Sequence, residues 1–145
     1  MAILHFRPKF AYRSGTQITF AQAPIAATSS ATVNTLIPRP DVEVYVEKAT
    51  VTLSTLGVAA SGTILLKLQA VATDGTTARD LTSTALSLES DGVATALVPV
   101  NLTIDATSPN RVIKEGETLR VEIISSNTNG TAPVGFVNVE LFVQK

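Results

Sequence analysis

Few side chains in this sequence could do chemistry, and their spacing argues against most of it. His5 is the only histidine, and there is no cysteine. A Ser-His-Asp arrangement needs an imidazole held by a carboxylate, and His5 sits among Phe6, Arg7 and Lys9 with no acid near it. It reads as a surface or arm residue. Without thiols there is no disulfide framework, no thiol nucleophile and no thiolate metal site. Carboxylates do occur in pairs, at Glu43 and Glu47, Glu89 and Asp91, and Glu115 and Glu117. Glycoside hydrolysis requires two of them across a cleft, one with its pKa raised by burial. These pairs fall on outward strand positions or beside turn glycines, where solvated carboxylates are ordinary. No run has the spaced acids and closing glutamate of a calcium loop. No Gly-rich turn leads into a helix that could cradle phosphate. The expectation is therefore no catalytic residue, no cofactor, no metal and no enzyme activity.

The elements that would position any site are strands. Leu119, Val121 and Ile123 alternate with Arg120, Glu122 and Ile124, and Val137, Val139, Leu141 and Val143 alternate with Phe136, Asn138, Glu140 and Phe142. Period-two patterning places one set inside and the other outside a sheet. The loop between them holds Asn127, Asn129, Gly130 and Pro133, so the two runs read as an antiparallel pair and as the central ladder of a sandwich. Upstream, Val42, Val44 and Val46 share a face, but the apolar parity then shifts to Ala49, Val51 and Leu53. A one-residue slip flips every side chain, so a bulge or bend is required near Glu47 and Lys48. Ile64, Leu66 and Leu68 form another run. Asp91-Gly92 suits a type I′ hairpin in which Leu86 faces Leu97 and Leu88 faces Thr95. Beyond Leu97 the inner face passes to Val98, Val100, Leu102 and Ile104, with Pro99 at the switch. Eight to ten short strands with no helix of consequence predict an all-β protein: an antiparallel β-sandwich, jelly-roll-like, with an extended N-terminal arm.

Residues 1–40 differ from residues 41–145. The first segment holds Arg7, Lys9, Arg13 and Arg39 and no acid, giving +4; the remainder gives −5, against a net charge of −1. Phe6, Phe10, Tyr12 and Phe20 fall within its first half. Gln17, Gln22 and Pro24 interrupt its apolar run, so a secretory leader is not expected. Pro38-Arg39-Pro40 is a stiff connector and the expected boundary between an arm or edge-strand segment, 1–40, and a sandwich domain, 41–145. The arm could dock on a partner, run as a strand of its own sandwich (Gln17–Phe20 and Thr32–Ile37 are the candidates), or stay loose.

Partners follow from the same features. A −5 domain is a poor ligand for nucleic acid, whose affinity depends on neutralising phosphates. No apolar run approaches the ~20 residues that a membrane-spanning helix needs. Sugar faces are met by aromatic platforms, and this chain offers only Tyr12 and Tyr45 and no tryptophan. Asn101-Leu102-Thr103 and Asn129-Gly130-Thr131 match the glycosylation pattern, a match short enough to arise by chance. Phe136, Asn138, Glu140 and Phe142 share the outer parity of the last strand. Large apolar groups there suggest a protein contact, or cover by the chain's own loops.

The short Thr- and Ala-rich strands, the Asp91-Gly92 turn, and the closing run Ile113, Gly116, Leu119, Val121, Ile123, Gly135, Val137, Val139 and Leu141 carry a resemblance. Over residues 41–145 the chain is similar to jelly-roll head decoration (cement) proteins of tailed bacteriophages. The resemblance implies a structural virion protein made in the host cytoplasm. It would bind the outer surface of an icosahedral head as a homotrimer and bridge major capsid protein subunits. Phe6, Arg7, Lys9, Phe10, Tyr12 and Arg13 would then lie against the capsid, and Phe136, Asn138, Glu140 and Phe142 would serve the oligomer contact. The alternative is a tail, fibre or lectin-like module that binds a receptor or carbohydrate.

Overall fold

Alternating apolar and polar residues are realised as ten strands in a computed structural model. It describes residues 43–59, 61–93, 95–125 and 130–143 and, as strand backbone, 17–26 and 32–36. The strands are β1 (Gln17–Ala26), β2 (Thr32–Leu36), β3 (Val44–Thr55), β4 (Ile64–Val71), β5 (Ala78–Asp80), β6 (Leu86–Ser87), β7 (Val100–Asn101), β8 (Val112–Ile113), β9 (Thr118–Ser125) and β10 (Val134–Val143). One turn of 3-10 helix, Ser108–Arg111, precedes β8.

The pairing is nested. β1 pairs with β10, β2 with β9, β3 with β7 and β8, and β4 with β5 and β6, every ladder antiparallel. That is one long hairpin rolled up, and the rolling adds two further ladders, β10 on β3 and β9 on β4. The outcome is two sheets, ordered β1-β10-β3-β7 and β2-β9-β4-β5, with β8 also on β3 and β6 also on β4. This is the jelly-roll form of an antiparallel β-sandwich. The two candidate strands of residues 1–40 occupy the outermost positions of the two sheets.

Inner faces meet in a single core. Val44, Val46, Val51 and Leu53 of β3 and Val137, Val139 and Leu141 of β10 join Ile64, Leu66 and Leu68 of β4 and Leu119, Val121 and Ile123 of β9. Each is essentially removed from water, and burying such a side chain contributes about 1.5–3 kcal/mol. The expected bulge is present. Glu140 stands opposite Lys48 but Leu141 opposite Val46, which leaves Glu47 as the extra residue. Val46 and Ala49 are both buried while Glu47 and Lys48 face water, so the slip keeps the whole strand on one core.

Three expectations are corrected. β9 and β10 are not paired with each other; each lies centrally in a different sheet. Both runs have a core-facing parity, and parity alone does not say whether two such runs sit side by side or face each other across the core. Asp91-Gly92 does not make a type I′ hairpin either. Gly92 and Val93 both donate to the Glu89 carbonyl, at 3.0 and 2.8 Å, and Leu86 pairs with Leu66 of β4, so it does not face Leu97. Gly92 is needed because a Cβ there would lie 2.1 Å from the Ser87 carbonyl oxygen. Finally, Val98 is exposed instead of joining the face of Val100, Leu102 and Ile104, because β7 begins only at Val100.

Candidate functional site

The four residues singled out on β10 share one outer face, as their parity requires. On the β3 side Phe136 stands opposite Thr52, Asn138 opposite Thr50, Glu140 opposite Lys48 and Phe142 opposite Tyr45. On the β1 side the matching positions are Pro24, Gln22, Phe20 and Gln17. The two ends of this row differ. Phe142 is half-buried, its ring stacked on Tyr45 with centroids 5.7 Å apart and planes at 27°. The Arg111 guanidinium lies 5.4 Å from the centre of the Tyr45 ring. Phe136 is 37% exposed.

Most of the remaining charge holds the fold together. Arg111 donates from Nε and Nη2 to the Val46 carbonyl, at 3.1 and 2.9 Å, and from Nη2 to Glu47 at 2.9 Å. Arg79 does comparable work on the 3-10 turn and the segment after it, donating to the Asn110 and Val112 carbonyls and to Glu117. Glu117 also accepts from the Lys114 N–H. Glu89 accepts from the Ala59 and Ile64 N–H groups and so ties the β3–β4 loop to the turn after β6. Asp91 accepts from the Ser87 hydroxyl. Glu47, Glu89, Asp91 and Glu117 of the sequence-paired carboxylates thus each have structural work of their own.

Across the outer face of the other sheet runs a polar ladder. Glu122 lies 3.8 Å from Arg120, Arg120 donates to the Gln69 side-chain oxygen, and Gln69 and Lys67 both donate to Asp80, at 2.7 and 3.0 Å. Burial pulls the Asp80 carboxyl upward, but the Gln69 and Lys67 hydrogen bonds and the nearby positive charges outweigh it and hold its pKa below the usual carboxylate value. Among the described residues no cluster of His, Asp or Glu is placed to hold a metal ion, and no helix is long and apolar enough to cross a membrane.

What sequence reading missed is a set of exposed apolar groups. Among the described residues Val58, Leu97, Val98, Val134 and Phe136 are the large apolar side chains left in water, and pairing places Val58, Val134 and Phe136 near the end of β3 and the start of β10. Only Phe136 among them was a candidate. The others sit in short loops whose neighbours are set by pairing between distant segments, so no local pattern marks them. Phe6, Arg7, Lys9, Phe10, Tyr12 and Arg13 lie outside the described residues. The arrangement as a whole offers surface for association. Comparison with protein-family models, curated proteins and solved structures finds no match to this chain.

Proposed function

We propose that this chain is a structural virion protein, a decoration or cement protein on the outer surface of an icosahedral tailed-phage head. The observation that carries the reading is a jelly roll whose ionic side chains are largely committed to its own backbone and loops while large apolar groups stand in water. Such a molecule is equipped to bind surfaces. Jelly rolls serve as capsid-associated and binding domains, a fold-level analogy. The charge division adds direction: the leader before β1 carries Arg7, Lys9 and Arg13 and no acid, while residues 41–145 sum to −5. Gln17 stands opposite Phe142, so the leader joins the sandwich at the Arg111–Tyr45 end.

In this reading the sandwich is the knob, assembled as a trimer, and the leader contacts the major capsid protein. Phe6, Phe10 and Tyr12 would supply affinity, since burying about 100 Å² of ring surface contributes about 2.5 kcal/mol. Arg7, Lys9 and Arg13 would set orientation against acidic capsid surface, exposed ion pairs contributing only about 0–1 kcal/mol each. The test is co-sedimentation of the full chain with empty heads that lack it. Saturable binding at a fixed ratio to capsid subunits is the expected result. Heads that pellet without the protein at every concentration would refute the reading.

A further inference from the structure

On one side of the sandwich the chain passes between the sheets on its way from β7 to β8. The Leu102 N–H donates to the Ala49 carbonyl of β3 at 2.9 Å, and Ile104 forms a bridge with Thr82, just past β5. Residues 105–111 then lead to β8, where Val112 stands opposite Tyr45 and Ile113 opposite Val44. Both ends of this stretch are anchored, because Ile104 packs against the core and Val112 and Ile113 are buried. Its middle is not. Ala106, Thr107 and Pro109 are exposed, and Asp105, Asn110 and Arg111 are half-buried.

Two arginines hold that middle by hydrogen bonds, one from each sheet's side. Arg79 of β5 donates from Nη1 to the Pro109 and Asn110 carbonyls, at 3.2 and 2.9 Å. Its Nη2 is engaged separately, on the Val112 carbonyl at 2.7 Å and on Glu117 at 2.9 Å. From the stretch itself Arg111 reaches the Val46 carbonyl and Glu47 of β3. The Asp105 N–H adds a bond to the Leu81 carbonyl at 2.8 Å, and the Asn110 N–H closes the 3-10 turn on the Thr107 carbonyl at 2.9 Å. At the foot of the stretch the Thr82 hydroxyl is buried with no hydrogen-bond partner among the described residues, a cost of the closed form that opening to water relieves.

We propose that residues 105–111 form a strap that opens and recloses as one unit while both sheets stay paired, with Arg79 as its buckle. Segments that bury little apolar surface open at a fraction of the global unfolding free energy. A single 3-10 turn does not persist once its anchors are released, so the strap's bonds are lost together. Because Val112 and Glu117 hold Nη2, the Arg79 guanidinium keeps its place when the strap's carbonyls leave Nη1, and it is ready to receive them again. Opening also changes the edge of β3. On this side β8 pairs with Val44 and Tyr45 and β7 with Thr50 and Val51, and between those ladders the Val46 carbonyl is occupied by the strap's Arg111. An open strap bares that carbonyl and the strand edge around it, which is the kind of edge that takes up another strand. The strap is thus a removable cover on the first sheet.

The experiment is native-state amide hydrogen exchange of the full chain in increasing urea, with Arg79→Gln beside the wild type. The Asp105 and Asn110 amides should exchange through one shared opening, faster than the β9 and β10 amides and nearly independent of urea, because little surface is exposed. In Arg79→Gln both should exchange faster by the same factor, about tenfold or more. Exchange of the two amides only together with β9 and β10, at the same rate and with the same urea dependence, overturns the proposal. So do strap amides that are unprotected in the wild type, or unequal factors in the variant. If Arg79→Gln does not fold, the wild-type urea series decides alone.

Discussion

Arg111 reaches back 65 residues to place Nε and Nη2 on the carbonyl of Val46, 3.1 and 2.9 Å away, beside the Glu47 bulge where β3 changes register against β10. An extra residue in one strand leaves part of the ladder without its partner, and here an arginine from the 3-10 turn supplies donors. Arg111→Ala should therefore destabilise the fold by about 2–3 kcal/mol, combining lost charge-assisted hydrogen bonds with the lost contact over Tyr45. Glu47→Ala removes only a half-exposed ion-pair partner and should cost less than about 1 kcal/mol. Urea denaturation of both variants separates the two contributions. Equal losses would mean that the ion pair, and not the carbonyl, is what Arg111 serves.

Acid should weaken the protein in a defined window. Asp74 accepts from the Thr77 N–H, the Thr77 hydroxyl and the Thr76 N–H, and these bonds lower its pKa to about 2. Asp105 is lowered too, by the Thr107 N–H and then by Asn110. An unfolded aspartate titrates near 3.9. A carboxyl with a depressed folded pKa contributes stability that is complete above the unfolded value and is lost as pH falls through the folded one. The urea midpoint should therefore fall as pH drops from about 4 to about 2. Asp74→Asn should begin lower at neutral pH and lose less across the window. A variant curve parallel to that of the wild type would contradict the assignment.

Two glycines should respond differently to alanine. At Gly92 an added Cβ would lie 2.1 Å from the Ser87 carbonyl oxygen, whereas at Gly75 it would meet nothing within 4 Å, although φ is +75°. Gly75→Ala should cost about 1 kcal/mol, the strain of a left-handed alanine. Gly92→Ala must move backbone and should cost about 2–3 kcal/mol, at the upper end of overpacking losses. Thermal denaturation of the pair checks the order, and the reverse order would refute the close-approach explanation.

Glu89 spans the loop before β4 with its two carboxylate oxygens, one on the Ala59 N–H at 2.9 Å and one on the Ile64 N–H at 3.3 Å. Glu89→Ala should leave those amides without acceptors, at about 1–3 kcal/mol. Amide exchange should accelerate at Ala59 and Ile64 while the β9 amides stay protected. Uniform acceleration across the core would show instead that Glu89 supports the whole fold.

Much of this architecture was legible in the sequence, and the reasons for the rest are specific. The parity change between Val46 and Ala49 required the Glu47 bulge, because only an inserted residue keeps both valine sets on one core. The central place of Val137–Val143 followed from its clean alternation. Which strands pair was not legible: β9 and β10 share a parity, and their separation into opposite sheets depends on the rolling of the whole hairpin. Asp91-Gly92 misled because a glycine chosen for lack of a Cβ looks the same as one chosen for its φ. The arginine clamps were hidden because each joins segments about 30 to 65 residues apart. The exposed apolar groups were hidden for a related reason, since the places of Val58 and Val134 are set by pairing between distant segments.

Deletion of residues 1–14 is the most direct measurement on the central proposal, with co-sedimentation on empty heads read beside the solution mass. The account predicts a truncated protein that stays folded, keeps the mass of the full-length assembly and remains in the supernatant. Truncated protein that pellets with heads as fully as the intact chain would contradict it.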